Sequence, residues 1–286
     1  MRGMFQIQQF QYYRCGGCGT VTTLPYPTIK EMIKHYRTGF ETKNYKAVME
    51  HQVVYQGVLR ALAKTANAYL YQQGRSLSGM KLLDIGCFTG EFLIEAKNLG
   101  ADVYGVDLQP EAVRIAQSRL GDRVQIADIV HDKLVFPLHT FDIITILGLI
   151  EHVTDVTGLL ERVSQLLAPG GVLMIQTPDS GSVAATIMGR LWPPFTPIEH
   201  IHLFTRFGLR SLLKRFGYHV FCFKSHVKML TPGYIHGVFR TFAPSLFRLL
   251  RPIVAITPQR LLSIRLPVYI GEMTVFARKK DNTEIS

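Results

Sequence analysis

Lys81-Leu82-Leu83-Asp84-Ile85-Gly86-Cys87-Phe88-Thr89-Gly90-Glu91 reads as an apolar strand running into a glycine turn, and Phe92-Leu93-Ile94 then opens an apolar helix. A glycine at such a turn lets backbone approach a bound nucleotide closely. Two cofactor chemistries use that geometry. A dinucleotide site needs Gly-x-Gly-x-x-Gly so that pyrophosphate can rest on bare backbone at a helix N-terminus. Counting from Gly86, Phe88 and Glu91 stand at the second and third glycine positions. A ring blocks the approach and a carboxylate repels phosphate, which argues against a nicotinamide oxidoreductase.

S-adenosylmethionine has no phosphate and carries an ammonium and a sulfonium. Asp84, with Glu91 as a second candidate, is compatible with that charge. Asp107 ends the next strand about 20 residues on, where a carboxylate can accept both ribose hydroxyls. Asp128 ends the third strand, within reach of an adenine amine. Each acid taken singly could equally be a helix cap.

Outward from the turn, strands are expected near 81–86, 102–107, 124–129, 141–147 and 171–177, with helices near 91–99, 110–119 and 155–167. Such alternation implies a parallel α/β sheet. Upstream, Val48, Tyr55, Val58, Leu59, Leu62, Ala66, Tyr69 and Leu70 mark one face of a helix over 45–73 that ends at Gly74. Downstream, a helix from residue 205 closes at Gly217, and late strands at 218–227 and 272–278 bracket an insertion.

From Leu82-Leu83-Asp84-Ile85-Gly86-Cys87-Phe88-Thr89-Gly90 through Gly105-Val106-Asp107 and Phe141-Asp142-Ile143-Ile144 to Leu167-Ala168-Pro169-Gly170-Gly171, the sequence resembles the class I S-adenosylmethionine-dependent methyltransferases. The resemblance implies a Rossmann-like, seven-stranded α/β sheet with helices on both faces and a reversed last strand, here Met273–Arg278. It implies cofactor contacts at Asp84, Gly86, Gly90, Asp107, Asp128 and Leu147. Many members carry glycine where Phe88 stands, so the methionine end of the pocket is expected to be shaped differently.

Methyl transfer needs an aligned nucleophile and, for a hydroxyl acceptor, a base. Glu151-His152 follows the fourth strand, and His200 and His202 lie in the segment from Trp192 to Thr205. His200 or His152 is the candidate base, since imidazole titrates near neutrality; otherwise Glu151-His152 orients the cofactor loop and His200 is a satisfied loop histidine. Similar Trp…His…Phe-Thr segments in methyltransferases of sugars and quinone precursors point to a small or lipid-linked hydroxylated acceptor. A nucleic-acid methyltransferase and a non-catalytic cofactor-binding partner subunit are the alternatives.

The 286 residues are 47% hydrophobic and 19% charged, with net charge +11, a composition able to bury a large core. Between residues 206 and 280 the basic residues face only Glu272, which suggests an anionic partner, nucleic acid or membrane. No recognisable RNA-binding module accompanies them. The segment 231–268 mixes Phe239, Phe242, Leu249, Ile253 and other apolar residues with Arg240, Arg248, Arg251, Arg260 and Arg265, and prolines at 244, 252, 258 and 267 forbid one long helix. It reads either as a lid or as a surface-lying contact with an anionic membrane. The parts are then an appendage at 1–40, a core at 41–230, the insertion at 231–268 and a last strand and tail at 269–286. Cys15-x-x-Cys18 has the spacing of half a zinc site, a residual half ribbon or a dimer-shared site, with no second pair to complete it. The N-terminus lacks a signal-peptide core and no long apolar run appears, so a cytoplasmic location is expected.

Overall fold

The computed structural model describes residues 1–28, 30–32, 52–72, 74–132 and 136–279. The expected start of the long helix, with Val48, lies outside them. Two sheets organise the chain. The smaller contains β1 (Arg2–Ile7), β2 (Phe10–Arg14), β3 (Val21–Leu24) and β9 (His202–Leu203), in that order. The larger contains β4 (Lys81–Ile85), β5 (Asp102–Asp107), β6 (Val124–Ile126), β7 (Phe141–Leu147), β8 (Leu167–Pro178), β10 (Tyr218–Leu230) and β11 (Leu266–Lys279).

Its strand order is β10-β11-β8-β7-β4-β5-β6, with β4 parallel to β5 and β7, and β11 antiparallel to β8 and β10. The chain runs outward from β4 through β5 to β6, then returns to lay β7 on the other side of β4. A doubly wound sheet opens its ligand crevice at such a reversal, beyond the carboxyl ends of the strands.

Both faces are covered. Helices α1 (Gln52–Tyr71), α2 (Glu91–Asn98) and α3 (Pro110–Leu120) bury Leu62, Ala66, Leu70, Phe92 and Val113 against one face. Helices α4 (Val156–Leu166) and α6 (Arg206–Arg215) bury Leu159, Val163, Leu209 and Leu213 against the other. Each of these is an i, i+3, i+4 pattern with its apolar stripe toward the sheet. A short α5 (Val183–Met188) follows β8.

Three expectations change. The third strand ends at Ile126 rather than at residue 129, because the Asp128 carboxylate accepts the Val130 and His131 amides, and this Asx turn competes with the ladder. The N-terminal segment is not a self-contained appendage: its sheet is completed by β9, with Val21 opposite Leu203 and Thr22 opposite His202. Within the insertion the chain forms α7 (Pro232–Phe242), α8 (Pro244–Ile256) and α9 (Gln259–Leu262). Pro244 and Pro258 do break the helix there, but α8 continues through Pro252. The bond lost at Pro252 is the one to the Arg248 carbonyl, on a part of α8 exposed to solvent.

Candidate active site

Gly86 and Gly90 stand at the mouth of the crevice with φ of 78° and 81°. The Gly86 and Cys87 amides both donate to the Val106 carbonyl, at 2.8 and 3.1 Å, which ties the turn to β5. A Cβ on Gly86 would press on Leu149 at 3.1 Å, and one on Gly90 would meet Ala116 and Leu120 at 3.2 Å. Gly90 thus closes α2 against α3 as well as shaping the turn. Phe88 takes the left-handed region too, with φ of 49°, where a side chain is unfavourable. A glycine would carry no such penalty at this place.

Asp107 holds the turn by accepting the Phe88 amide at 2.9 Å through Oδ2 and the Gln109 amide at 2.8 Å through Oδ1. Asp84 is buried beneath it, with its Oδ1 accepting the Thr145 hydroxyl at 2.6 Å. Burial pushes the Asp84 carboxyl up to about 7; the Thr145 hydrogen bond opposes this, and the nearby Asp107 charge adds to it. Burial raises Asp107 as well, against the pull of its amide donors. Among the described residues neither carboxylate belongs to an ion pair. A buried and a half-buried acid side by side make a region of negative potential that a cationic ligand would relieve.

The other expected contacts divide. Leu147 ends β7 one residue past Ile146, which pairs with Ile85, and packs against the α1–α3 side of the core. Asp128 is engaged locally: its Oδ2 lies 2.9 Å from His131 Nδ1 while its Oδ1 accepts the turn amides. Desolvation acts to raise its pKa, but the hydrogen bonds from His131 and from the turn amides outweigh it and hold the carboxyl below its ordinary value. Glu91 points its charge elsewhere, pairing with Arg119 at 3.2 Å and accepting the Thr89 hydroxyl.

Beyond β7 and β8 the structure brings both histidines together. The His152 and His200 rings stand 4.8 Å apart, edge to face. His200 Nδ1 donates to the Pro194 carbonyl at 2.7 Å, which fixes the tautomer and makes Nε2 the ring's basic nitrogen. Glu151 is buried next to them, its Oε2 accepting the Thr177 hydroxyl at 2.9 Å and its Oε1 lying 3.9 Å from His152 Nε2. Ligand atoms of Glu151, His152 and His200 all lie within 4.8 Å of one another, close enough to hold a metal ion. Cys15 and Cys18 are not joined by a third such ligand among the described residues.

Sequence reasoning missed what holds this cluster. The Ile201 amide donates to the Glu151 carbonyl at 2.7 Å, and the Ile201 carbonyl accepts the Thr23 amide at 3.0 Å and the Thr22 hydroxyl at 3.1 Å. The N-terminal sheet therefore braces the segment that carries His200. His202 is spent on this brace, its Nδ1 lying 2.9 Å from the Thr22 hydroxyl, and burial lowers its pKa.

A family model described as a methyltransferase domain matches residues 49–222. A ubiquinone biosynthesis O-methyltransferase from Rhodopseudomonas palustris is 36% identical over 119 residues, 40% of this chain and 46% of the relative. One from Azorhizobium caulinodans is 34% identical over 106 residues, 36% of this chain and 42% of the relative. The matched part thus spans under half the length of either. Magnesium protoporphyrin IX methyltransferase from Synechocystis, solved with bound S-adenosylhomocysteine, superposes with a TM-score of 0.53 at 14% identity, over 88% of this chain and 95% of its own. At that identity the likeness concerns the fold.

Proposed function

Since the chain belongs to the methyltransferase-domain family, we propose that it transfers the methyl group of S-adenosylmethionine to a hydroxyl oxygen of a small or lipid-linked acceptor held over the carboxyl ends of β7 and β8. The observation that carries this reading is the buried carboxyl of Asp84 beside the half-buried one of Asp107, at a glycine turn on the switch point. Asp84 would face the ammonium of the cofactor's methionine end, and Asp107 its ribose, with Gly86, Gly90 and Leu147 shaping the walls. Asp128 would have to reach the adenine amine with a carboxylate already shared by His131.

Transfer is a displacement in which the acceptor oxygen attacks the methyl carbon as the bond to sulfur breaks, leaving S-adenosylhomocysteine. The acceptor's proton goes to His200 Nε2, whose opposite nitrogen is pinned by the Pro194 carbonyl. Glu151 would stabilise the resulting imidazolium from behind His152. The relatives' shared name supports oxygen as the acceptor atom.

Calorimetry tests the cofactor: S-adenosylmethionine and S-adenosylhomocysteine should bind in the micromolar range, roughly −8 kcal/mol, with NADH silent. Binding should strengthen as pH rises through about 7, because the cation requires Asp84 ionised. Tight NADH binding, or affinity that falls over that range, would remove the claim.

The helices α7–α9 support an amphiphilic acceptor. Leu246, Leu249, Ile253 and Ile256 recur along one face of α8 and stay exposed, Leu249 at 70% and Ile256 at 83%, and no residue of α8 is buried. No described helix is long and apolar enough to cross a membrane; an apolar stripe within an arginine-rich segment suits lying on an anionic one. Each arginine contributes about 1 kcal/mol near such a surface, so binding should be reversible and salt-sensitive. The protein is expected to co-sediment with anionic but not neutral liposomes at low salt, and replacing Arg248, Arg251 and Arg260 by Gln should abolish this without weakening cofactor binding. Equal partitioning onto both vesicle types, or none onto either, would leave these helices as an ordinary lid.

A further inference from the structure

A cleft of about 700 Å³ lies between the inner face of the small sheet and the turn that leads from β8 into α5. Its size is that of a small-molecule site. Arg14 stands on one wall, on the face of β2 that also carries Phe10 and Tyr12, since alternate strand residues share a face. Arg190 stands on the other, just after α5, with its guanidinium 5.8 Å from the Phe5 ring centroid. Among the described residues no acidic side chain lines the cleft, and neither arginine forms an ion pair. Arg14 donates to the Gly19 carbonyl at 3.3 Å.

The rest of the lining sets apolar Met4, Phe5, Ala185 and Phe195 beside the polar Ser180 and Thr186. Phe195 follows Pro194, whose carbonyl orients His200, so the cleft abuts the proposed transfer site. Beneath it Tyr12 is fully buried against Phe5 and Phe195, and among the described residues its hydroxyl has no hydrogen-bond partner.

We propose that this cleft binds a phosphate group of the acceptor, gripped between Arg14 and Arg190, with the apolar side chains receiving the part of the molecule attached to it. A guanidinium fork matches phosphate oxygens bidentately, and two forks on opposite walls fix its position. The assignment rests on the methyl-transfer reading only for the word acceptor; the phosphate site is testable by itself.

Glycerol phosphate and octyl phosphate would be titrated into the whole protein by calorimetry, with succinate as a carboxylate control and S-adenosylhomocysteine as a separate measure of the cofactor site. Either phosphate should bind at least tenfold more tightly than succinate. Arg14→Gln and Arg190→Gln should each weaken that binding tenfold or more while S-adenosylhomocysteine affinity stays constant, which also certifies folding. Preference for octyl phosphate identifies a lipid phosphate, and equal binding identifies a soluble phosphate ester; both support the site. Succinate binding as tightly as phosphate, no phosphate binding, or indifference to both substitutions would overturn it. Loss of S-adenosylhomocysteine binding in the unaltered protein would instead strike the methyl-transfer reading.

Discussion

Asp84→Asn is expected to make the ligand-free protein more stable and to cost it the cofactor. The Asp84 carboxyl is raised from its ordinary value of 3.8 to about 7, chiefly by burial. The folded state therefore holds this proton more tightly than the unfolded chain does, so stability falls as pH rises from about 4 to about 7 and the full penalty remains above that. The displacement corresponds to roughly 4 kcal/mol at most, reduced by whatever relaxation accompanies ionisation. An asparagine is neutral throughout, and its carbonyl can still accept the Thr145 hydroxyl. The melting temperature at pH 8 should rise by on the order of 5 °C, and the difference should vanish near pH 4, where the aspartate is already protonated. Cofactor affinity should move the other way: a buried cation left without its carboxylate costs about 3 kcal/mol or more, roughly a hundredfold. Scanning calorimetry across pH and titration with S-adenosylhomocysteine read the two effects. Unchanged affinity would place the ammonium elsewhere.

His200→Ala is expected to leave cofactor binding intact and to lower turnover by about 10²-fold or more, the usual contribution of a positioned base. The ring's Nδ1 is committed to the Pro194 carbonyl, so the opposite nitrogen is presented in its basic form. His152, 4.8 Å away, makes a different expectation possible to separate. If His152 were the base, His152→Ala would take the larger loss and His200→Ala would mainly raise KM. Turnover of each variant with methyl-labelled cofactor and an acceptor identified from a cell extract distinguishes them, and an unimpaired His200→Ala enzyme would remove His200 from the mechanism.

The central sheet was legible because its signals are local. Strand, glycine turn and helix sit within fifteen residues of Lys81, and Asp107 needs only the next strand to reach the Phe88 amide. What failed to show in the sequence depends on distant partners. Glu91 looks like part of an acidic turn until Arg119, one helix later, takes its charge. Asp128 looks like a strand end until its own side chain ends the strand two residues sooner. Residues 1–40 looked separable because nothing in a cysteine pair and two prolines announces that His202–Leu203 will supply a strand. Arg14 and Arg190 belong to no motif and line one cleft because α5 lies beside the small sheet.

That borrowed strand also orders events at the ribosome. Thr22 and the Ile201 carbonyl it bonds are 179 residues apart in the chain, so the first three strands emerge long before their fourth exists. Closing so large a loop has a modest extra entropic cost, growing only with the logarithm of its length, but it cannot happen until five of the seven strands of the central sheet have been synthesised. The β1–β2–β3 meander must wait with the Val21–Leu24 edge uncovered, and an uncovered edge is a template for pairing with another chain. The nascent protein is thus most vulnerable to self-association in the interval before Leu203 clears the exit tunnel, and slow elongation through residues 80–200 would lengthen that interval.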